Sequence, residues 1–159
     1  MVAVVLFDAS RCYRYRLGRA WAAPGTGCVL FVMLNPSTAD AEHDDPTLRR
    51  CIWFAHAWGF GAVDVMNLFA YRAPRPQVLR RVADPVGPDN DRHIDLAAGA
   101  ATAIVCAWAE QGGYRGRGAD VALALRRHRP LLCLGSTKNG QPLHPLYVRG
   151  TTRPTVWMA

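Results

Sequence analysis

The sequence lacks long apolar runs, paired cysteines and the basic start of a secretory leader. Although 50% of its 159 residues are hydrophobic, no apolar run approaches the roughly 18 residues that a membrane-spanning helix needs. The first residues are apolar but carry no positive charge and soon reach Asp8, which is not typical of a signal peptide. We therefore expect a cytoplasmic protein that has no membrane partner.

Cysteine pairs and the common cofactor motifs are also missing. The five cysteines contain no C-x-x-C pair, so the sequence favours free thiols in a reducing compartment over a zinc or iron-sulfur site. There is no G-x-G-x-x-G, Walker A, G-x-S-x-G or H-E-x-x-H motif. We expect no cofactor, and nothing indicates a serine or cysteine nucleophile.

Lysine is nearly absent, whereas arginine is abundant. The formal net charge is +7, and Lys138 is the one lysine among the 19 basic residues. Arginine suits phosphate binding, and a basic protein attracts polyanions. Codon bias in a GC-rich genome produces the same composition, so the charge alone leaves nucleic-acid binding open.

The order of apolar and helical patterns predicts an α/β fold. The chain has no internal repeat, low-complexity tract or long linker, so we expect one domain over residues 1–159. Continuous apolar runs predict four buried strands at 28–34, 62–68, 103–108 and 131–134. Helices are expected at 46–58, before 81, at 89–101 and at 118–129. With strands at 2–7 and 13–17, this predicts a monomeric three-layer α/β/α sandwich with a central four-stranded parallel sheet and an N-terminal strand pair.

Functional residues are expected in the loops that follow the strands, because ligands bind at the carboxyl ends of strands in parallel sheets. The first of these loops begins Asn35-Pro36-Ser37-Thr38. The Asn35 amide can orient a water and a ligand together, while the hydroxyls and backbone N–H groups of Ser37 and Thr38 add donors. An Asx-Pro turn without a ligand is the alternative.

Farther along the same loop, acidic side chains accumulate around His43. Asp40, Asp44 and Asp45 could bind Mg²⁺ or Mn²⁺ and support phosphoester hydrolysis. Helix capping and a solvated loop explain the same residues without a metal. We expect no metal site here.

Asn67 ends the second predicted core strand. Its side chain offers a donor and an acceptor side by side, as needed to read the edge of a nucleobase. An Asn that satisfies backbone groups at the strand end is the alternative. Arg72 and Arg75 follow and are either phosphate contacts or solvated charges.

The loop after the last predicted core strand combines Lys138, His144, Tyr147 and Arg149 in a glycine- and proline-rich frame. Such a frame has little capacity to build core, which favours a binding loop. His144, held by Pro145, can act as an acid, a base or a hydrogen-bond donor to a developing anion. A structural histidine is the alternative.

Together, three of these motifs resemble the uracil-DNA glycosylase superfamily. They are Leu34-Asn35-Pro36-Ser37, Asn67 and His144-Pro145, and the segment MNLFAYRAPRP at 66–76 is also similar to that superfamily. Most of the chain resembles more closely a family of small bacterial and phage proteins of unknown function, which carry N-P-S-T-A-D, N-L-F-A-Y-R and H-P-L-Y.

The glycosylase resemblance implies roles for individual residues. Asn35 would position the attacking water, Asn67 would read a base flipped from the duplex, and His144 would donate to the base oxygen that gains charge. Beside these three, the candidate base or substrate contacts are Pro36, Ser37, Thr38, Phe69 and Tyr147, and the candidate phosphate contacts are Arg72, Arg75, Lys138 and Arg149.

Two departures from the superfamily pattern weaken the implied activity. Asn35 stands where the most active branch has a carboxylate, so the resemblance implies a weak or narrow activity. Leu146 or Tyr147 would replace the usual residue that enters the duplex.

The resulting expectation is a DNA glycosylase-like hydrolase that cleaves the N-glycosidic bond of an unusual or modified base. Its partner would be nucleic acid, DNA rather than RNA, or a nucleotide. Two alternatives remain open: a non-catalytic nucleic-acid or nucleotide binding module, and a metal-dependent phosphoesterase.

Overall fold

A computed structural model describes residues 1–158 as a sheet covered by helices on both faces. The strands are β1 (Val2–Phe7), β2 (Arg14–Ala20), β3 (Cys28–Met33), β4 (Ala62–Asn67), β5 (Ala103–Cys106), β6 (Leu131–Cys133) and β7 (Thr155–Val156). The α-helices are α1 (Pro46–Ala57), α2 (Asn90–Ala100) and α3 (Arg117–Leu125), and short 3₁₀ helices span Pro76–Arg81, Glu110–Gly116 and Pro145–Tyr147.

The α/β class is confirmed, but the predicted four-stranded parallel sheet is wrong. The sheet has seven strands in the order β1-β2-β4-β3-β5-β6-β7. Strands β4, β3, β5 and β6 pair in parallel, whereas β2 adds to β4 and β7 adds to β6 in antiparallel orientation. The N-terminal hairpin is therefore part of the main sheet, with Leu17 opposite Val65.

The side chains of β3 explain why both faces of the sheet are covered. Leu30 and Val32 pack in the same buried cluster as residues of α2 and α3, whereas Val29, Phe31 and Met33 pack with residues of α1. Successive residues of a strand point to opposite faces, so a continuous apolar run requires a helical layer on each side.

Two of the arginines on β2 form ion pairs that connect this strand to β4 and to the loop before α1. Arg16 donates from Nε and Nη2 to the two carboxylate oxygens of Asp64 at 3.0 and 2.8 Å. Arg19, which is buried, donates from Nε and Nη2 to Asp44 Oδ1 at 3.1 and 2.7 Å. The second pair holds the acidic loop between β3 and α1 against the sheet.

The five cysteines are free thiols, of which Cys51, Cys106 and Cys133 are buried. Burial raises the pKa of Cys28 to about 12, and it raises the pKa values of the Cys51 and Cys106 thiols above their ordinary value. Within residues 1–158, no helix combines the length and the apolar character needed to cross a bilayer.

Gly112 provides a test of the packing around Trp108, the fully buried tryptophan that follows β5. A Cβ atom on Gly112 would lie 1.8 Å from Trp108 Cδ1, whereas one on neighbouring Gly113 would meet nothing closer than 3.6 Å. We expect Gly112→Ala to lower the free energy of unfolding by about 1–3 kcal/mol, because a buried ring must move. Gly113→Ala is the matched control, and equal urea midpoints for the two variants would contradict this packing.

Candidate functional site

A cavity of about 310 Å³ lies at the carboxyl ends of the parallel strands. Its walls come from the loops after β3, β4 and β5, the N-terminus of α1 and the 3₁₀ helix at Pro145–Tyr147. Of the predicted site residues, the cavity brings together Asn35, Ser37, Asn67, His144 and Tyr147. These residues are far apart in the sequence, and the parallel pairing of the strands is what gathers them.

Asn35 connects two of the loops and leaves one polar atom for a ligand. Its Nδ2 donates to the carbonyl oxygens of Pro36 at 3.0 Å and Ala73 at 2.9 Å. Because both of these partners are acceptors, the amide nitrogen is fixed in its orientation. Asn35 is a lining residue of the cavity, and its Oδ1 is an acceptor.

His144 is held as a neutral hydrogen-bond donor. The backbone N–H of Leu146 donates to Nδ1 at 3.1 Å, which caps the short helix at Pro145–Tyr147. Burial lowers the pKa of His144, while Asp45 acts in the opposite direction. Since Nδ1 is the acceptor, the proton of the neutral ring is on Nε2. Nε2–H is therefore the donor that the ring can offer to a ligand.

Asn67 is almost completely buried, with 2% of its surface exposed, at the end of β4. Its backbone carbonyl accepts a hydrogen bond of 2.9 Å from Asn90 Nδ2. Its own Nδ2 has no partner among residues 1–158. A buried donor without a partner is costly, and Asn67 is one of the residues that line the cavity.

Arg14 and Asp45 also line the cavity, and sequence analysis did not assign them to it. Arg14 is only 3% exposed, donates from Nη1 to the Ala39 carbonyl at 2.8 Å and has no partner for Nε within residues 1–158. Burial lowers the pKa of Arg14 to about 10, with Asp45 opposing that shift. No spacing pattern marked Arg14, because its place depends on the pairing of β2 with β4.

Asp45 is the one carboxylate among the residues described around the cavity. Its Oδ1 accepts from the Leu48 N–H at 2.8 Å and caps α1. The sequence predicted that Asp45 caps the helix. Because Asp45 lies in the loop that follows β3, the strand-end rule could also have placed its carboxylate at the cavity.

Ala109, at the end of the segment that follows β5, has an unusual backbone conformation on the cavity wall. Its φ of 59° and ψ of −164° lie in a region that is almost restricted to glycine. The Ala109 N–H donates to the Pro142 carbonyl at 2.8 Å. This bond connects the chain after β5 to the loop that carries His144.

Phe69, which was expected to contact the base, is not among the residues that line the cavity. Its side chain is fully buried and packs against Tyr114 at 5.7 Å between ring centroids. Two residues beyond the end of β4, Phe69 belongs to the core on the α2 and α3 side. Pro36 is buried and also lies outside the cavity lining, where its carbonyl accepts from Asn35.

Five further predicted contact residues do not line the cavity. Arg72 stacks on the Phe7 ring and donates to the Arg11 carbonyl. The remaining predicted contacts are exposed outside the lining: Thr38, Arg75, Lys138 and Arg149.

The acidic loop before α1 is explained by capping and ion pairs. Asp40 Oδ1 accepts from the N–H groups of Glu42 and His43, both at 2.8 Å, and these bonds lower the pKa of Asp40. Asp44 pairs with Arg19. Within residues 1–158, no group of three or more His, Cys, Asp or Glu side chains could hold a metal ion.

Comparison with protein-family models identifies the family of the chain. The family described as "Protein of unknown function (DUF1643)" matches residues 14–146. The chain belongs to this family. The DUF1643 match begins at Arg14 and includes His144, so it contains every cavity residue named above except Tyr147.

Neither curated proteins nor solved structures gave a match. Nothing in these comparisons links the DUF1643 family to the uracil-DNA glycosylase superfamily.

Asn35→Asp tests the connection between the two loops. A carboxylate would face the carbonyls of Pro36 and Ala73 and could not donate to them. We expect the free energy of unfolding to fall by about 1–3 kcal/mol, measured by urea unfolding at neutral pH. Gln77→Glu, the same exchange of an amide for a carboxylate at an exposed position, is the control and should change it by less than about 0.5 kcal/mol. An unchanged free energy of unfolding in Asn35→Asp would show that the hydrogen bonds from Asn35 Nδ2 to Pro36 and Ala73 contribute little to stability.

His144→Asn tests the neutral state of the ring, because the Asn carbonyl can still cap Leu146. Burial lowers the pKa of His144 in the folded chain, so the unfolded chain binds a proton first as pH falls. The contribution of the neutral His144 ring to stability is complete above the pKa of histidine in the unfolded chain, about 6.5. This contribution is lost as pH falls below that value. The melting temperature of the wild type should therefore decrease more between pH 7 and 5 than that of the variant. Equal decreases in the two melting temperatures would contradict a lowered pKa of His144 in the folded chain.

Proposed function

We propose that the chain is a glycosylase-like hydrolase that cleaves the N-glycosidic bond of an unusual or modified nucleobase held in the 310 Å³ cavity. The observation that carries this proposal is the convergence of four polar residues on that cavity: Asn35, Asp45, Asn67 and His144. The motif resemblance to the uracil-DNA glycosylase superfamily supports the same assignment.

The cavity suits a small polar ring. Its volume is at the lower end of the range of about 300–1,000 Å³ that is typical of small-molecule sites. Asn67 Nδ2 supplies a buried donor, and Trp108 and Leu17 supply apolar wall. A nucleobase combines a flat apolar face with an edge of donors and acceptors, so it matches this lining.

His144 would stabilise the departing base. As the bond between C1′ and the base nitrogen breaks, its electron pair moves onto the base and increases the negative charge on a ring oxygen. The Nε2–H of the neutral imidazole can donate to that oxygen without a prior protonation step. Loss of one such donor typically lowers the rate by about 10²–10³.

Asn35 and Asp45 would act on the other side of the sugar. A water held by Asn35 Oδ1 would form the new bond to C1′, and its proton would pass to the Asp45 carboxylate. The same carboxylate would stabilise the positive charge that develops on the sugar. Asp45 thus supplies the acid-base group that position 35 lacks.

Basic side chains outside the cavity lining would bind the strand. Arg72, Arg75, Lys138 and Arg149 would contact phosphates, which fix position without reading sequence. Tyr147, 81% exposed, and its neighbour Leu146 extend from the helix that His144 caps. They would enter the duplex in place of the flipped base.

The direct test is incubation of the purified chain, in parallel with and without EDTA, with oligonucleotides that contain uracil, mismatched bases or hypermodified bases. Mass spectrometry then measures the released base. We expect release of one base class, at a rate that falls by about 10² in Asp45→Asn and in His144→Asn. Both substitutions keep the capping acceptor, so folding should be preserved.

Glu42→Gln is the matched control for loss of a negative charge, because Glu42 is exposed in the same loop outside the cavity lining. Release at the wild-type rate in both cavity variants would refute the proposed roles. Retention of the oligonucleotides without any release would favour the binding module, and turnover that EDTA abolishes would favour the phosphoesterase.

A further inference from the structure

Strand β2 carries three arginines, Arg14, Arg16 and Arg19. The edge of the guanidinium group that is formed by Nε and Nη2 is here called the side edge. The three arginines differ in what binds this edge. Arg16 and Arg19 both use the side edge to bind a carboxylate, Asp64 and Asp44 respectively. This edge carries two parallel N–H groups that match the two oxygens of a carboxylate or phosphate. The side edges of two arginines on β2 therefore both bind a carboxylate.

Arg14 has the same edge without an acid on it. Its Nη1 donates to the Ala39 carbonyl, but Nε has no hydrogen-bond partner within residues 1–158. No ion pair of Arg14 occurs in that part of the chain. Its side chain is nonetheless almost fully buried and lines the cavity. A buried charge needs a partner to offset its lost hydration.

We propose that the ligand of this cavity carries a terminal oxyanion, a carboxylate or a phosphate, which binds the side edge of Arg14. The inference rests on the proposed function, since it names the substrate class of the same cavity. The base or nucleotide proposed to contact Asn67 and His144 would therefore also carry a negative charge.

The burial of Arg14 requires the oxyanion to be terminal. A phosphate inside a nucleic-acid strand is bonded to sugars on both sides, and the strand would have to follow it to a side chain that is 3% exposed. A carboxylate attached to a base, or the phosphate of a free nucleotide, ends the molecule and can reach the cavity floor. The two sources share one chemistry and differ in size.

Asp45 does not neutralise the arginine in place of a ligand. It raises the pKa of Arg14 from a distance, but forms no ion pair with it in residues 1–158. Its Oδ1 is bound to the N-terminus of α1, where the helix dipole offsets part of the negative charge. The Arg14 side edge therefore remains the strongest anion-binding group of the cavity.

The test is a calorimetric comparison of matched free ligands. Uracil is compared with its 5- and 6-carboxylates, and uridine with uridine 5′-phosphate, for the wild type, Arg14→Met, Arg14→Lys and Arg153→Met. Arg153 is exposed outside the cavity lining, so Arg153→Met controls for net charge. We expect at least about tenfold tighter wild-type binding of one anionic ligand than of its neutral partner.

This preference should disappear in Arg14→Met, decrease in Arg14→Lys and persist in Arg153→Met. Preference for a uracil carboxylate would identify the base as the source of the oxyanion, and preference for uridine 5′-phosphate would identify a free nucleotide. Arg14→Met removes a buried charge but also the donor to the Ala39 carbonyl, so these effects oppose each other and its melting temperature should change little. A large fall without any change in anion preference would show a structural role and overturn the inference.

The two proposals fail in different ways. Binding of uracil and uridine without preference for their anionic partners overturns the oxyanion inference and leaves the proposed function intact. Arg14-dependent binding of uridine 5′-phosphate, with no binding of uracil or its carboxylates, supports the oxyanion and contradicts the modified-base hydrolase. No binding of any of these ligands overturns both.

Discussion

The parallel pairing of β3 with β4 is the constraint on which the candidate site depends. Its register places Met33 beside Asn67, so the chain that leaves β3 at Asn35 runs next to the end of β4. The Asn35 amide then bonds the carbonyl of Ala73 in the following loop. One pairing register therefore brings an acceptor and a buried donor, distant in the sequence, to the same cavity.

The parts of the site that could be predicted are those fixed by local sequence. Apolar runs that end abruptly located Asn35 and Asn67, because a buried strand needs apolar side chains on both faces and its end does not. The proline-framed segment around His144 was visible as a loop with little capacity to form core. The strand-end rule then selected the loops that line the cavity.

The remainder depends on contacts that local sequence does not encode. The short strand β7 has two exposed residues and no apolar pattern to reveal it. Arg14 is buried although it is charged, because β2 lies against β4 and places it beside the cavity. Phe69 was expected at the ligand because it follows Asn67 closely, but its direction relative to the sheet sends it into the core.

If the proposed ligand binds Arg14 Nε and Asn67 Nδ2, which have no partner within residues 1–158, occupancy of the cavity controls the lifetime of the folded chain. A molecule that satisfies these donors binds the native state and not the unfolded one, so by mass action it deepens the native free-energy minimum. At a ligand concentration of 100 times Kd this adds about 2.7 kcal/mol. Susceptibility to proteolysis inside a cell would then follow the supply of the ligand, and the purified chain would be the form most readily degraded.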